Sequence, residues 1–142
     1  MAFNLPGILG RNNRARQDMV DSAYQEAQKA SRVDTQNLIS RTAREEDSRD
    51  MRRTGGAYDA SGNLYRAQKS IEKQGYDTTG IHMMKASDQA DAKVSELQQK
   101  RTLSKGFHKE EYGEDRPTRR DVRSAKKDAK ALGKAATEEY FK

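Results

Sequence analysis

A chain of 142 residues carrying a net charge of +6 and 35% charged side chains has room for one domain or a short string of helices. Leu, Ile, Val and Phe fill only 18 positions, below the roughly 20% at which a chain offsets its ordering entropy with a private core. The absence of Cys excludes disulfides, thiolate catalysis and Cys-ligated zinc.

Within those bounds, 17 Ala, only two Pro and abundant charges of both signs favour long solvated helices, each with one narrow apolar seam. The expected fold is all-α: extended helices with little independent core, which acquire buried surface from partners.

Residues 1–11 form an apolar N-terminal arm, in which Phe3, Leu5, Ile8 and Leu9 surround Pro6, Gly7 and Gly10. Four large apolar side chains in so short a stretch suit a docked peptide better than a free end, so these four are candidate protein-interface residues. The run is far shorter than the roughly 20 residues of a spanning helix, and its basic residues follow the apolar ones. That order is the reverse of a secretory signal, so neither a membrane span nor signal-directed export is expected.

A long helix is expected over 12–53. Its seam runs through Ala15, Met19, Ala23, Ala27, Ala30, Val33, Leu38 and Ile39 in steps close to three and four, then fades into RTAREEDSRDMRR. The TGG at 54–56 closes it.

Two further helices follow within 54–105. AYDASGNLY at 57–65 suits a helix connection or a short β-hairpin, and Leu64, Ala67, Ile71 and the closing Gly75 then describe a short helix. Another helix starts at Thr78 or Thr79 and ends near Leu103, with Met83, Ser87, Ala90, Val94 and Leu97 at heptad spacing. Two heptads are too few for a coiled coil but enough to pair with the first helix. Residues 106–117, polar and bounded by Gly106 and Pro117, read as a linker.

The final helix, within 118–142, opens on Thr118 as N-cap. Asp121 is shorter than the Glu or Gln of a capping box, so no box is expected there. Val122, Ala125, Ala129, Leu132, Ala136 and Tyr140 make the cleanest seam in the chain, and Val122, Ala125, Ala129 and Leu132 are the second group of candidate interface residues.

The charge excess is local. Arg116, Arg119, Arg120, Arg123, Lys126, Lys127, Lys130 and Lys134 face only Asp121 and Asp128, a net of +6 that equals the excess of the whole chain. Such a helix neutralises phosphates without reading sequence or meets an acidic protein surface, or it is merely the solvated face of a helix whose other side packs. No aromatic residue and no Asn or Gln interleaves the cations, which argues against base-specific recognition.

Enzyme signals are weak. His82 and His108 stand apart from each other, and Glu110 and Glu111 beside His108 make too few ligands for a metal site. Asp59, Ser61 and Asn63 alternate as calcium ligands do, but the Gly falls at the wrong position and Ser70 stands where an acid is required. Met83 and Met84 suit contact or core positions better than cofactor ligation. No catalytic residue, metal, cofactor or small-molecule substrate is expected.

The broken apolar start AFNLPGILGRNNRARQ, the long helix QDMVDSAYQEAQKASRVDTQNLISRTAREE and the basic Ala/Lys-rich tail resemble, in style over the whole chain, the small helical virion proteins of tailed bacteriophages, including internal and ejection proteins. The resemblance implies a non-enzymatic component that contacts copies of itself, a larger virion protein and packaged DNA, located in the virion or the host cytoplasm. The alternative is a small independent nucleic-acid-binding protein acting through residues 116–134.

Overall fold

The computed structural model describes residues 4–142, with side chains from residue 13 onward. The side chains of Phe3, Leu5, Ile8 and Leu9, expected to form the apolar arm, lie outside the described residues, but the backbone is helical from Asn4, so the first helix begins there rather than at 12 and no separate arm precedes it over 4–11. The described chain is all-α: α1 (Asn4–Thr54), α2 (Ala60–Gln74), α3 (Thr79–Arg101), α4 (Lys105–Tyr112) and α5 (Arg119–Tyr140), with no strand among the described residues. It divides into two compact units, 26–79 and the pair of segments 1–25 and 80–142.

The unit at 26–79 is a helical hairpin made of the later part of α1 and α2. The β-hairpin considered for 57–65 does not form. Asp59 accepts the Gly62 N–H at 3.0 Å and becomes the N-cap of α2, so the turn residues open a helix. The helix ends where expected, with Gly75 in the left-handed conformation that a Cβ disfavours.

Ile39, Ala43, Ala67 and Ile71 form the apolar core of this unit, with Leu38 packed against it. Two seam positions differ from the sequence expectation: Val33 and Leu64 are exposed, and Asn63 is buried in place of Leu64. The reason is polar. Asn63 donates to Asp47 at 2.7 Å and to Asp50 at 3.0 Å and accepts from Arg66, so its burial completes a network near the turn.

At the other end of the hairpin the Ser31 hydroxyl donates to Asp77 at 3.0 Å and accepts the Thr78 N–H at 2.9 Å, while the Thr78 hydroxyl donates to Asp34. Apolar burial is thin here, and these hydrogen bonds supply the register that a larger core would otherwise impose.

The Asn63 hydrogen bond, aided by the charges of Arg53 and Arg66 and opposed by desolvation, holds the Asp50 carboxyl below its ordinary 3.8. A carboxyl lowered on folding stabilises the fold above about pH 4, and that contribution is lost as pH falls through the lowered value. Asn63→Ala leaves its partners unsatisfied and is expected to cost about 1–3 kcal/mol at neutral pH. Urea melts at pH 7 and pH 3 check this, the gap between variant and parent narrowing at the lower pH.

In the other unit α3 and α5 run antiparallel. A Cβ added to Gly80 at the start of α3 would lie 2.8 Å from the Cα of Tyr140 at the end of α5, and one added to Gly133 would lie 3.4 Å from the Ser87 hydroxyl. Small residues permit this approach. Met83, Ser87, Val122, Ala129, Leu132 and Ala136 are buried, and Ala136 is wholly inaccessible.

Three features of this unit depart from the sequence reading. The stretch read as a linker contains α4, capped by Ser104, which accepts the Phe107 N–H, and closed by a left-handed Gly113. Eight residues are too few to show a periodic seam.

Secondly, Thr118 and Asp121 do form a capping box: the Thr118 hydroxyl takes the Asp121 N–H at 3.1 Å and the Asp121 carboxylate takes the Thr118 N–H at 2.8 Å. The shorter carboxylate of Asp121 therefore does reach the N-cap N–H. Thirdly, the interior of the chain claims the α5 seam. Val122, Ala129 and Leu132 are buried and Ala125 is half-buried within the monomer, while Tyr140, read as the last seam residue, is exposed.

Candidate anion-binding face

Pro117 and the capping box start α5, its Ala content favours helix, and its buried seam orients it against α3. At about 100° per residue, Arg119, Arg120, Arg123, Lys126, Lys127, Lys130 and Lys134 fall within about one third of the helix circumference, over a length of about 22 Å. All seven are exposed. Among the described residues none of them makes an ion pair or a side-chain hydrogen bond.

Some cations on the other helices have local partners that these seven lack. Arg49 pairs with Glu46, Arg53 with Asp50 and Lys69 with Glu72, each within one turn, as alternating charges on a solvated helix do. On α5 the two acids among the cations, Asp121 and Asp128, point to the flank of the buried seam and are already engaged. Asp121 is held below the ordinary carboxylate range, first by the Thr118 backbone N–H and then by the Thr118 hydroxyl and the Arg120 charge. Asp128 accepts from Arg16 Nε of α1 at 3.0 Å.

Arg116 does not belong to the stripe. Its guanidinium donates to the carbonyls of Leu103 at 2.9 Å and Arg101 at 3.4 Å, neutralising the C-terminal end of α3, and Arg101 in turn donates to the Pro117 carbonyl at 2.8 Å. Lys100 adds a second tie at this elbow: it pairs with Glu96 at 3.2 Å and with Glu114 at 3.7 Å and lies 4.6 Å from the Tyr112 ring centroid. The Glu96 hydrogen bond is the main influence raising its pKa.

No family model, curated protein or solved structure matches this chain.

The histidines take no part in it. His108 is buried under α4, its Nδ1 donating to the Glu114 carbonyl at 2.9 Å and its ring 4.7 Å from that of Tyr112. Glu110 and Glu111 are exposed, and no group of three metal-ligating side chains comes together among the described residues. His82 is half-buried in α3. No helix among the described residues is long and apolar enough to cross a membrane.

Sequence reasoning missed Arg16. It lies 112 residues from Asp128, and no local pattern connects the two.

Proposed function

We propose that this chain is a non-enzymatic structural and interaction protein that holds duplex nucleic acid through the cationic stripe of α5. The observation that carries the reading is the line of seven exposed side chains, Arg119 to Lys134, without an ion-pairing partner among the described residues. Like charges so arranged repel one another, and a polyanion relieves that repulsion. Duplex DNA presents about one charge per 1.7 Å of axis, so a length of about 22 Å carries about 13 phosphate charges, more than enough to neutralise the seven cations.

The lack of base-reading side chains among the cations makes the contact non-specific in sequence. A virion component of the kind the chain resembles would use such a contact with packaged DNA.

Self-association or docking on a larger protein is the second part of the proposal. Among the described residues five of the ten buried apolar side chains are Ala, while Ile81, Tyr140 and Phe141 remain exposed near the junction of α3 and α5. So few large apolar side chains buried among the described residues favour a partner.

Size exclusion with light scattering, with and without duplex DNA at low and high salt, tests both parts. The expected result is a DNA complex that forms at low salt and dissociates at high salt, together with self-association that persists in salt. A compact monomer that ignores DNA at low salt would sink the proposal.

A further inference from the structure

The exposed stripe has one edge that is more than a surface. Between α1 and α5 lies an open groove of about 560 Å³, whose polar wall is Arg16, Arg120, Arg123, Ser124, Lys127 and Asp128 and whose remaining wall is apolar. Four cations and one hydroxyl thus face a single carboxylate. That carboxylate is committed: Asp128 accepts from Arg16 Nε at 3.0 Å, with the two side chains 37% and 22% exposed.

An arginine has five N–H donors, and this contact uses the one on Nε. Among the described residues the terminal nitrogens of Arg16 have no acceptor. Asp128 therefore fixes the guanidinium in one orientation while leaving its outer donors open, which prepares it for a phosphate oxygen. Ser124 supplies a neutral hydroxyl, and Arg120, Arg123 and Lys127 supply the countercharge.

We infer that this groove is a phosphate seat, in which Arg16 donates directly to the anion and Asp128 acts as a positioning residue for Arg16. Taking duplex DNA as the source of the phosphate rests on the function proposed above; the chemistry of the seat does not.

The inference makes a prediction that simple charge counting reverses. Asp128→Asn removes a negative charge beside a cationic stripe, which by itself tightens DNA binding. If Asp128 positions Arg16, the variant binds no tighter than the parent. Arg16→Gln, a change on α1 away from the stripe, lowers DNA affinity and reduces the salt slope by about one. Lys126→Gln/Lys130→Gln/Lys134→Gln, outside the groove, reports on the stripe alone.

The experiment measures DNA affinity of the full chain across a salt series for the parent and these variants, with thermal melts to confirm folding. A second arm titrates ¹⁵N-labelled protein with inorganic phosphate, against chloride at matched ionic strength. The expected result is weaker binding by Arg16→Gln, no gain by Asp128→Asn, and phosphate-specific shifts of the Arg16 Nε–H and Ser124 amide resonances, the Ser124 shift being lost in Arg16→Gln.

An unchanged salt slope in Arg16→Gln with tighter binding by Asp128→Asn overturns the seat; a loss in the triple Lys variant would still uphold the stripe. If the parent binds no DNA at low salt, the nucleic-acid reading fails. The phosphate arm then decides the seat alone: specific shifts sustain it for another phosphate source, and their absence removes it.

Discussion

Replacing Arg119, Arg120, Lys126 and Lys127 together by Gln is expected to reduce the slope of log affinity for duplex DNA against log salt by about 3 to 4, each lost phosphate contact contributing about 0.9. Helix formation is preserved, because Gln has a propensity close to those of Lys and Arg and the four side chains are exposed without ion-pairing partners among the described residues. The self-association proposed above is expected to survive, because none of the four positions lies in the buried seam.

The comparison that gives this result meaning is Arg116→Gln. Arg116 belongs to the same cationic run in sequence, yet its guanidinium is bound to the Leu103 and Arg101 carbonyls. Its loss is expected to leave the salt slope unchanged and to cost about 1–3 kcal/mol of stability, as carbonyls at the end of α3 lose a charged donor. Fluorescence anisotropy with a labelled duplex over a salt series, paired with urea melts, separates the two behaviours. An equal fall in salt slope for Arg116→Gln would mean that its carbonyl contacts are not the ones that matter.

The second large effect is expected at Gly80. Gly to Ala inside a helix ordinarily stabilises, by about 0.4–1 kcal/mol where the new methyl group fits. At Gly80 the new Cβ would stand 2.8 Å from the Cα of Tyr140, 3.1 Å from its N and 3.2 Å from the carbonyl oxygen of Glu139. These are backbone atoms, which cannot rotate aside as a side-chain tip can, so α3 and α5 must separate. Overpacking of this kind costs about 1–3 kcal/mol, and the buried Met83 and Ala136 lie along the same junction.

Gly106→Ala is the control. Gly106 is also helical, but a Cβ there meets nothing within 4 Å, so the ordinary gain is expected. Opposite signs for two Gly to Ala changes in one chain, read from the midpoints of urea melts, would identify the α3 and α5 contact as the close packing of this unit. Stabilisation at both positions would show that the helices do not meet so closely.

Much of the architecture was legible from local chemistry. Stop and cap signals located the end of α1 near Thr54, the end of α2 at Gly75, the start of α3 at Thr78 or Thr79 and the N-cap of α5 at Thr118, because helix ends are decided by residues within a turn or two of the end, whereas the start of α1 was expected at 12 and lies at Asn4. The stripe of α5 was equally legible, since cations from Arg119 to Lys134 share a face by helical geometry alone.

Position by position the reading failed where a distant partner outweighed the local pattern. Apolar periodicity selected Leu64 for the seam, but Asp47 and Asp50 of α1 recruit Asn63 inward and leave Leu64 outside. The short α4 was hidden because only His108 among its residues is buried, and that burial depends on the Glu114 carbonyl beyond the helix end.

The sequence by itself determined the helical class, most helix boundaries, the scarcity of large apolar side chains and the concentration of positive charge on one helix. Only the tertiary structure decided that α3 and α5 run antiparallel, that Arg116 serves the end of α3 while its neighbours face solvent, and that Arg16 reaches Asp128. The physical reason is one of range. Helix formation and charge clustering depend on residues a few positions apart, whereas the pairing of a guanidinium with a carbonyl or carboxylate many residues away exists only after the helices have packed.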